Sequence, residues 1–294
     1  MGYGNPLVYI FSGTLDLGLA TQKIRLIQKA LSDRCLEVSL YTSLEPVGDR
    51  GRSQAAQIKQ LCRQRPRAIL CAVQLLDPEV FPELETYQRE GGIVISYDIP
   101  IPLPCDQVIF DREHNAYQAA RYLLERGHRR IGIGISKQQA RPLDGPGAPQ
   151  AYRLQGFRRA LREFGAPFQP EWLFENPPYE EGGEEMARRF LQLSERPTGL
   201  CIVNDTVAFT FMIDVIRAGI RIPEDVSVVG HDNLPIAARC PVPMTSAAQP
   251  AEVIAQAVVE MLLERTNGYD GPPRTVTLRG SLAERESVTT PPPT

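Results

Sequence analysis

Five positions in this 294-residue chain carry side chains suited to holding a small, hydroxyl-rich molecule: Asp98, Arg153, Tyr179, Asn204 and Asp232. Carboxylates accept hydrogen bonds from paired hydroxyls, an amide both donates and accepts, and a guanidinium fork donates to two oxygens at once. An aromatic face can stack on the apolar C–H side of a ring. Asp98 follows the apolar run IVISY, Asn204 follows Leu200–Val203, and Asp232 closes the run that begins at Val226. In an open parallel sheet, ligands bind beyond the carboxyl ends of the strands, so Asn204 and Asp232 are aimed at a shared crevice. Each residue also has a plainer reading. Asn204-Asp205 before Thr206 fits a helix cap, Arg153 a solvated helix arginine, and Tyr179 surface packing.

Catalytic chemistry finds little support. His231-Asp232 resembles an acid–base pair, but neighbouring residues after a strand point in different directions. Only three histidines occur, at 114, 128 and 231, and His128 belongs to the turn GHRR, where a structural role fits. The chain has no GxSxG, HExxH or GxxxxGK[ST] pattern. Gly132 and Gly134 imitate the start of a dinucleotide fingerprint, but Lys137 takes the third glycine's place and the glycines fall inside a strand. Six cysteines, at 35, 62, 71, 105, 201 and 240, form no CxxC pair and no metal-type spacing. Reduced thiols are expected, with no metal and no cofactor.

The elements that must position these side chains alternate between strand and helix. Leu7–Phe11, Val38–Tyr41, Ala68–Val73, Ile93–Tyr97 and Gln107–Phe110 read as strands, with helices at about 19–32, 53–64 and 79–90. Ile24, Ile27 and Leu31 recur at i, i+3 and i+7 on one helix face. A helix at 115–126 stops at Gly127 and a second series begins at Ile131–Ile135, continuing with helices at 152–164 and 183–193 and strands at 200–203 and 226–230. A helix over Thr206–Ala218 is closed by Gly219 in the left-handed position and followed by Pro223. Such alternation predicts an α/β fold of two lobes, each a parallel sheet of about five strands with helices on both faces. The segments at 141–149, 175–183 and 241–250 are rich in Pro or Gly and read as excursions.

Composition narrows the class. Apolar residues make up 43%, which excludes global disorder, and a net charge of −3 with pI near 5.8 argues against broad binding to DNA or anionic membranes. Lysine occurs only at 23, 29, 59 and 137, a skew toward arginine with no functional weight of its own. No basic segment leads into a long apolar run at the start, and no stretch approaches the ~20 apolar residues of a membrane helix. A soluble, cytoplasmic protein is expected.

The wording ND…G…IPEDVSVVGHDN…P…T…QP resembles the effector-binding core of the lac/galactose/purine repressor family, and RYLLERGHRRIGI and YRLQGFRRALREFG resemble its mid-chain signatures. The likeness runs from about residue 7 to about residue 288. It implies a periplasmic-binding-protein-like fold and a non-enzymatic sensor of a sugar or related metabolite for a transcription regulator. It also implies a side-by-side homodimer that meets operator DNA through a headpiece; none is seen before the first strand. Chain crossings near Gly127, Gln249–Glu252 and Leu278–Gly280 would divide the lobes as 1–127 with 251–278 and 128–250 with 279–294.

In that family the positions matching Asp98, Arg153, Asn204 and Asp232 commonly line the ligand pocket, and that of Tyr179 often carries the stacking aromatic. The chain departs from the pattern at three places. Leu19-Ala20 replaces an aromatic pair, leaving Asp16 and Ser12 as polar candidates, Ile99 replaces a basic residue after Asp98, and His231 stands where Tyr or Phe is frequent. A sugar transporter's solute-binding protein would share the fold and is the alternative reading. A sugar- or nucleotide-processing enzyme is a further rival, without a nucleophile to support it.

Overall fold

The computed structural model describes residues 8–12, 18–42, 50–72, 78–98, 100–137, 149–177 and 179–293. In chain order it begins with β1 (Val8–Ser12), α1 (Leu19–Ser32), β2 (Val38–Thr42), α2 (Arg50–Arg63), β3 (Ala68–Ala72), α3 (Phe81–Arg89), β4 (Ile93–Asp98) and β5 (Asp106–Phe110). Then come α4 (Arg112–Glu125), β6 (Ile131–Ser136), α5 (Pro149–Glu163), β7 (Leu173–Asn176), α6 (Tyr179–Gln192), β8 (Gly199–Ile202), α7 (Asp205–Arg217), β9 (Ser227–Asp232) and β10 (Thr245–Ala248). The chain ends with α8 (Ala251–Thr266), β11 (Thr275–Leu278) and β12 (Leu282–Ala283).

Two compact units result. Unit 1 holds residues 1–110 and 250–278, and unit 2 holds 111–249 and 279–294. Thus α4 belongs with unit 2, whereas the sequence reading puts the crossing at Gly127. The reason is local: α4 packs on α5 and on the unit 2 strands β8, β9 and β10. Its Asp111 cap accepts from the His114 amide at 2.9 Å, so the unit begins at its helix cap.

Unit 1 carries a six-stranded sheet in the order β11-β5-β4-β3-β1-β2, and its described pairings are parallel. Side-chain alternation sorts this sheet into two cores. Val8, Ile10, Leu70 and Ile95 face α1 and α8, against Ile24, Ile27, Leu31, Ile254, Val258 and Leu262. Tyr9, Ile69, Cys71 and Val94 face α2 and α3, against Ile58, Leu61 and Leu84.

Unit 2 repeats the plan in the order β12-β10-β9-β8-β6-β7. Its strands are parallel except that β12 runs antiparallel to β10. Val228 joins Phe190, Phe211 and Met212 beneath α6 and α7, while Val229 joins Ile133, Leu154 and Phe157 beneath α4 and α5. Each sheet therefore has six strands rather than about five. β7 and β10 escape the sequence pattern because they are short and Pro-flanked, and Thr245–Ala248 offers small side chains instead of an apolar run. The segment 241–250 is thus no excursion: Thr245 and Ser246 are fully buried in the sheet. Gly219, at φ +89, takes the left-handed position that closes α7.

Among the described residues no helix is long and apolar enough to cross a membrane, and no group of His, Cys, Asp or Glu could hold a metal ion.

Candidate functional site

The sequence-selected polar residues gather at the carboxyl ends of the two sheets. In unit 1, Asp98 closes β4 at φ +90 and is 3% exposed. A non-glycine residue in that region is strained, and such strain concentrates at functional sites. Its carboxylate takes a salt bridge from Lys23 Nζ of α1 at 2.6 Å, with both side chains buried. The sequence reading did not select Lys23. The one signal was a lysine on the same face as Leu19, Ile27 and Leu31, where an apolar residue is due. Asp16 lies outside the described residues; Ser12 is the last residue of β1.

In unit 2, Asp232 closes β9 at φ +97, again buried, and its Oδ1 accepts from Gln249 Nε2 at 2.7 Å. Arg153, in the first half of α5, is 8% exposed, so it is no solvated helix arginine; its Nη1 donates to Gln150 Oε1 at 3.3 Å. Asn204 caps α7, its Oδ1 accepting from the amides of Thr206 at 3.2 Å and Val207 at 3.4 Å. The plainer capping role therefore holds for its oxygen, and its amide nitrogen is left as a donor. Tyr179 opens α6 rather than lying in a loop. The pattern ENPPYEEGG hides the helix because its glycines disfavour one, yet Gly182 and Gly183 are needed there. A Cβ would lie 2.0 Å from the Pro177 carbonyl in the first case and 2.5 Å from the Val207 carbonyl in the second.

Asp205 matters more to this end of the sheet than the sequence indicates. It is fully buried and ties the start of α7 to β10 and to the segment after β9: Oδ1 accepts from Ser246 Oγ at 2.7 Å and Oδ2 from the Leu234 amide at 2.7 Å. Gly230 leaves it room, since a Cβ there would meet Asp205 Oδ1 at 2.2 Å. Burial, and then the nearby Asp232 carboxylate, push the Asp205 acid well above the usual range.

His231 and Asp232 do not act as a pair. The imidazole is 1% exposed and its Nδ1 lies 3.2 Å from the Ile202 carbonyl, which assigns the proton to Nδ1. Nε2 is then an acceptor, and among the described residues it has no hydrogen-bond partner. Burial first, then the Arg153 charge, hold the ring's pKa down to about 3. His231 is therefore neutral at physiological pH and unsuited to general-base work.

A recess of about 530 Å³ in unit 1 lies at the other end of the sheet, where β4 and β5 begin, lined by residues such as Arg89, Cys105, Asp106 and Arg265. Its polar groups are spent internally. Asp106 accepts from Arg265 Nε at 3.0 Å and Nη2 at 2.9 Å, and from the Arg274 amide at 2.8 Å. This clamp binds α8 and β11 to the sheet, so it is a fastening rather than a receptor. The six cysteines are free thiols, and burial pushes Cys62 and Cys105 up to about 12, which keeps them unreactive.

Residues 120–288 match the family model of the periplasmic binding protein-like domain. A curated relative, the HTH-type transcriptional repressor PurR of Yersinia pestis, is 30% identical over 235 residues, covering 80% of this chain and 67% of the relative. PurR of Aliivibrio salmonicida is 27% identical over the same length, covering 80% and 68%. Among solved structures, a LacI family transcriptional regulator from Enterococcus faecium with bound ribose superposes with a TM-score of 0.82 at 21% identity, covering 97% of this chain and 99% of that one. The transcriptional regulator CelR in complex with cellobiose gives 0.79 at 23% identity, covering 96% and 84%.

Proposed function

Because the chain belongs to the LacI family of transcription regulators and carries the periplasmic-binding-protein-like effector domain, we propose that it senses a small uncharged metabolite, a sugar or sugar derivative. Relatives in this family are regulators and not enzymes, and the chain is non-catalytic on that ground. The candidate contacts are polar groups at the carboxyl end of each unit's own sheet, Asp98 in unit 1 and Arg153, Asn204 and Asp232 in unit 2, with Tyr179 and Asp16 as further candidates from the sequence alone. The observation that carries this reading is the pair of buried, positive-φ aspartates that end β4 and β9. Carboxylates placed so are poor devices for stability and good acceptors for ligand hydroxyls.

Structural neighbours that hold cellobiose and ribose support a sugar over other polar metabolites. In this reading the protein works in the cytoplasm as a homodimer, and operator contact belongs to a separate DNA-binding headpiece. The net charge of −3 gives the sensor little phosphate affinity of its own. Ligand binding changes DNA affinity only through a difference in ligand affinity between two arrangements of the domain.

A thermal-shift screen of sugars and nucleobases, followed by calorimetry on Arg153→Ala and Asp232→Ala, tests the site. Each variant strands polar groups of the ligand and should weaken binding roughly 5- to 150-fold. Near-wild-type affinity in both variants would remove these residues from the site.

A further inference from the structure

The two units place a cation at the same point of their shared plan. Lys23 is the fifth residue of α1 and Arg153 the fifth of α5, and each helix follows the first strand of its unit, β1 or β6. The strand orders match position for position, so β4 and β9 are equivalent, and each ends in a buried aspartate at positive φ. Lys23 therefore stands in unit 1 where Arg153 stands in unit 2.

Packing gives Lys23 no reason to be a lysine. It sits among Leu19, Ile24, Ile27 and Leu31 on the buried side of α1 and is 2% exposed. Such a stripe asks for an apolar residue. Its bond to Asp98 does not explain it either, because desolvation offsets the attraction in a buried ion pair, and apolar residues of similar volume do as well or better. Among the described residues Asp98 is the one hydrogen-bond partner of the ammonium, which carries three donors. Here a local rule is broken without a structural gain, the mark of a functional position.

We propose that Lys23 is a ligand-contacting, specificity-determining residue: held in place by Asp98, it donates a hydrogen bond to a hydroxyl oxygen of the effector and selects an uncharged sugar over an anionic one. This rests on the sugar-sensing reading above. The selection follows from charge. Asp98 already neutralises the ammonium, so an anion brought beside the pair gains little net attraction and loses its hydration. A neutral hydroxyl pays no such penalty. Unit 2 repeats the balance, with Arg153 and Asp232 of opposite sign and a neutral His231 beside them.

Two double variants isolate the donor. Lys23→Gln/Asp98→Asn and Lys23→Met/Asp98→Asn are both uncharged and close in volume, and asparagine tolerates the positive φ; they differ in whether position 23 can donate. Calorimetry uses ribose, glucose and cellobiose as probes, with the phosphate esters of ribose and glucose. A neutral sugar should bind wild type at least tenfold more tightly than its phosphate ester. The Gln variant should bind that sugar roughly tenfold more tightly than the Met variant, and the Met variant should melt no lower than wild type. Equal affinity of the two variants, tighter binding of a phosphate ester, or a Met variant that melts well below wild type would overturn the assignment. If no saccharide binds the wild type, the sugar-sensing reading falls and takes this one with it. If a sugar binds but ignores position 23, only this inference falls.

Discussion

The ends of β4 and β9 are the same place built twice, and they differ in how each holds its charge. Both strands finish with a buried polar residue followed by an aspartate: Tyr97-Asp98 in unit 1 and His231-Asp232 in unit 2. In both, the residue before the aspartate keeps a buried polar atom that has no hydrogen-bond partner among the described residues, Tyr97 Oη or His231 Nε2. Asp98 is held by a charged donor, Lys23, and Asp232 by a neutral one, Gln249. The cation of unit 2, Arg153, is near enough to depress the His231 ring. One end pairs its cation with its aspartate, and the other keeps its cation beside a neutral imidazole. A repeated fold thus supplies equivalent positions, and single side chains decide what each end can recognise.

The largest expected effect follows from that charged-versus-neutral difference. Lys23→Met removes the ammonium partner of Asp98, whose side chain is 4% exposed, and breaking a buried pair by removing one partner costs about 3–5 kcal/mol. Gln249→Leu removes a neutral donor from Asp232 and should cost less, about 1–3 kcal/mol. Urea denaturation of the two variants checks the order. Equal losses would mean that the two aspartates are held in the same way.

A smaller effect separates Tyr97 from His231 by pH. Burial depresses the His231 pKa to about 3 in the folded state, against about 6.5 in the unfolded chain. Below pH 6.5 the unfolded state therefore takes up a proton that the folded state refuses, and stability is lost as pH falls. The loss reaches about 2 kcal/mol near pH 5. Tyr97, whose hydroxyl is pushed up by burial, contributes nothing in that range. Asp205 acts with the opposite sign, since its raised folded pKa favours the native state as pH falls toward the unfolded value. His128, also depressed by burial, acts in the same direction as His231. The readout is accordingly the difference between wild type and His231→Phe over pH 7 to 5. Parallel stability curves would contradict a neutral buried imidazole.

The smallest effect concerns Asn204, which has two roles. Asn204→Ala removes the α7 cap and should cost about 1 kcal/mol of stability. Asn204→Asp keeps the accepting oxygen but loses the amide donor, so it should retain stability while weakening a ligand that uses that donor. Denaturation of both variants with calorimetry on the second separates the roles. If Asn204→Asp binds as wild type, Asn204 is a cap alone.

Much of this molecule could be read from the chain itself, for physical reasons that are local. Ile24, Ile27 and Leu31 announce α1 by their spacing, and Gly219 announces the end of α7 because a left-handed residue is required there. Runs such as Leu200–Val203 mark strands buried on both faces, and a polar residue after each run marks a carboxyl end. The strand-end residues Asp98, Asn204 and Asp232 were accessible to that reasoning. What stayed hidden depends on contacts between distant residues. β10 is a strand because Thr245–Ala248 pairs with β9, not because of its own small side chains. Glycines at 182 and 183 sit in a helix because neighbouring backbone leaves no room for a Cβ. Lys23 meets Asp98 across 75 positions of sequence and Asp205 meets Ser246 across 41; residue spacing carries no trace of either. Periodicity and punctuation determine which elements form, since they are properties of a few consecutive residues. Which charge is neutralised, and by what, was decided only when the tertiary structure brought those elements together in a medium where an unpaired charge is costly.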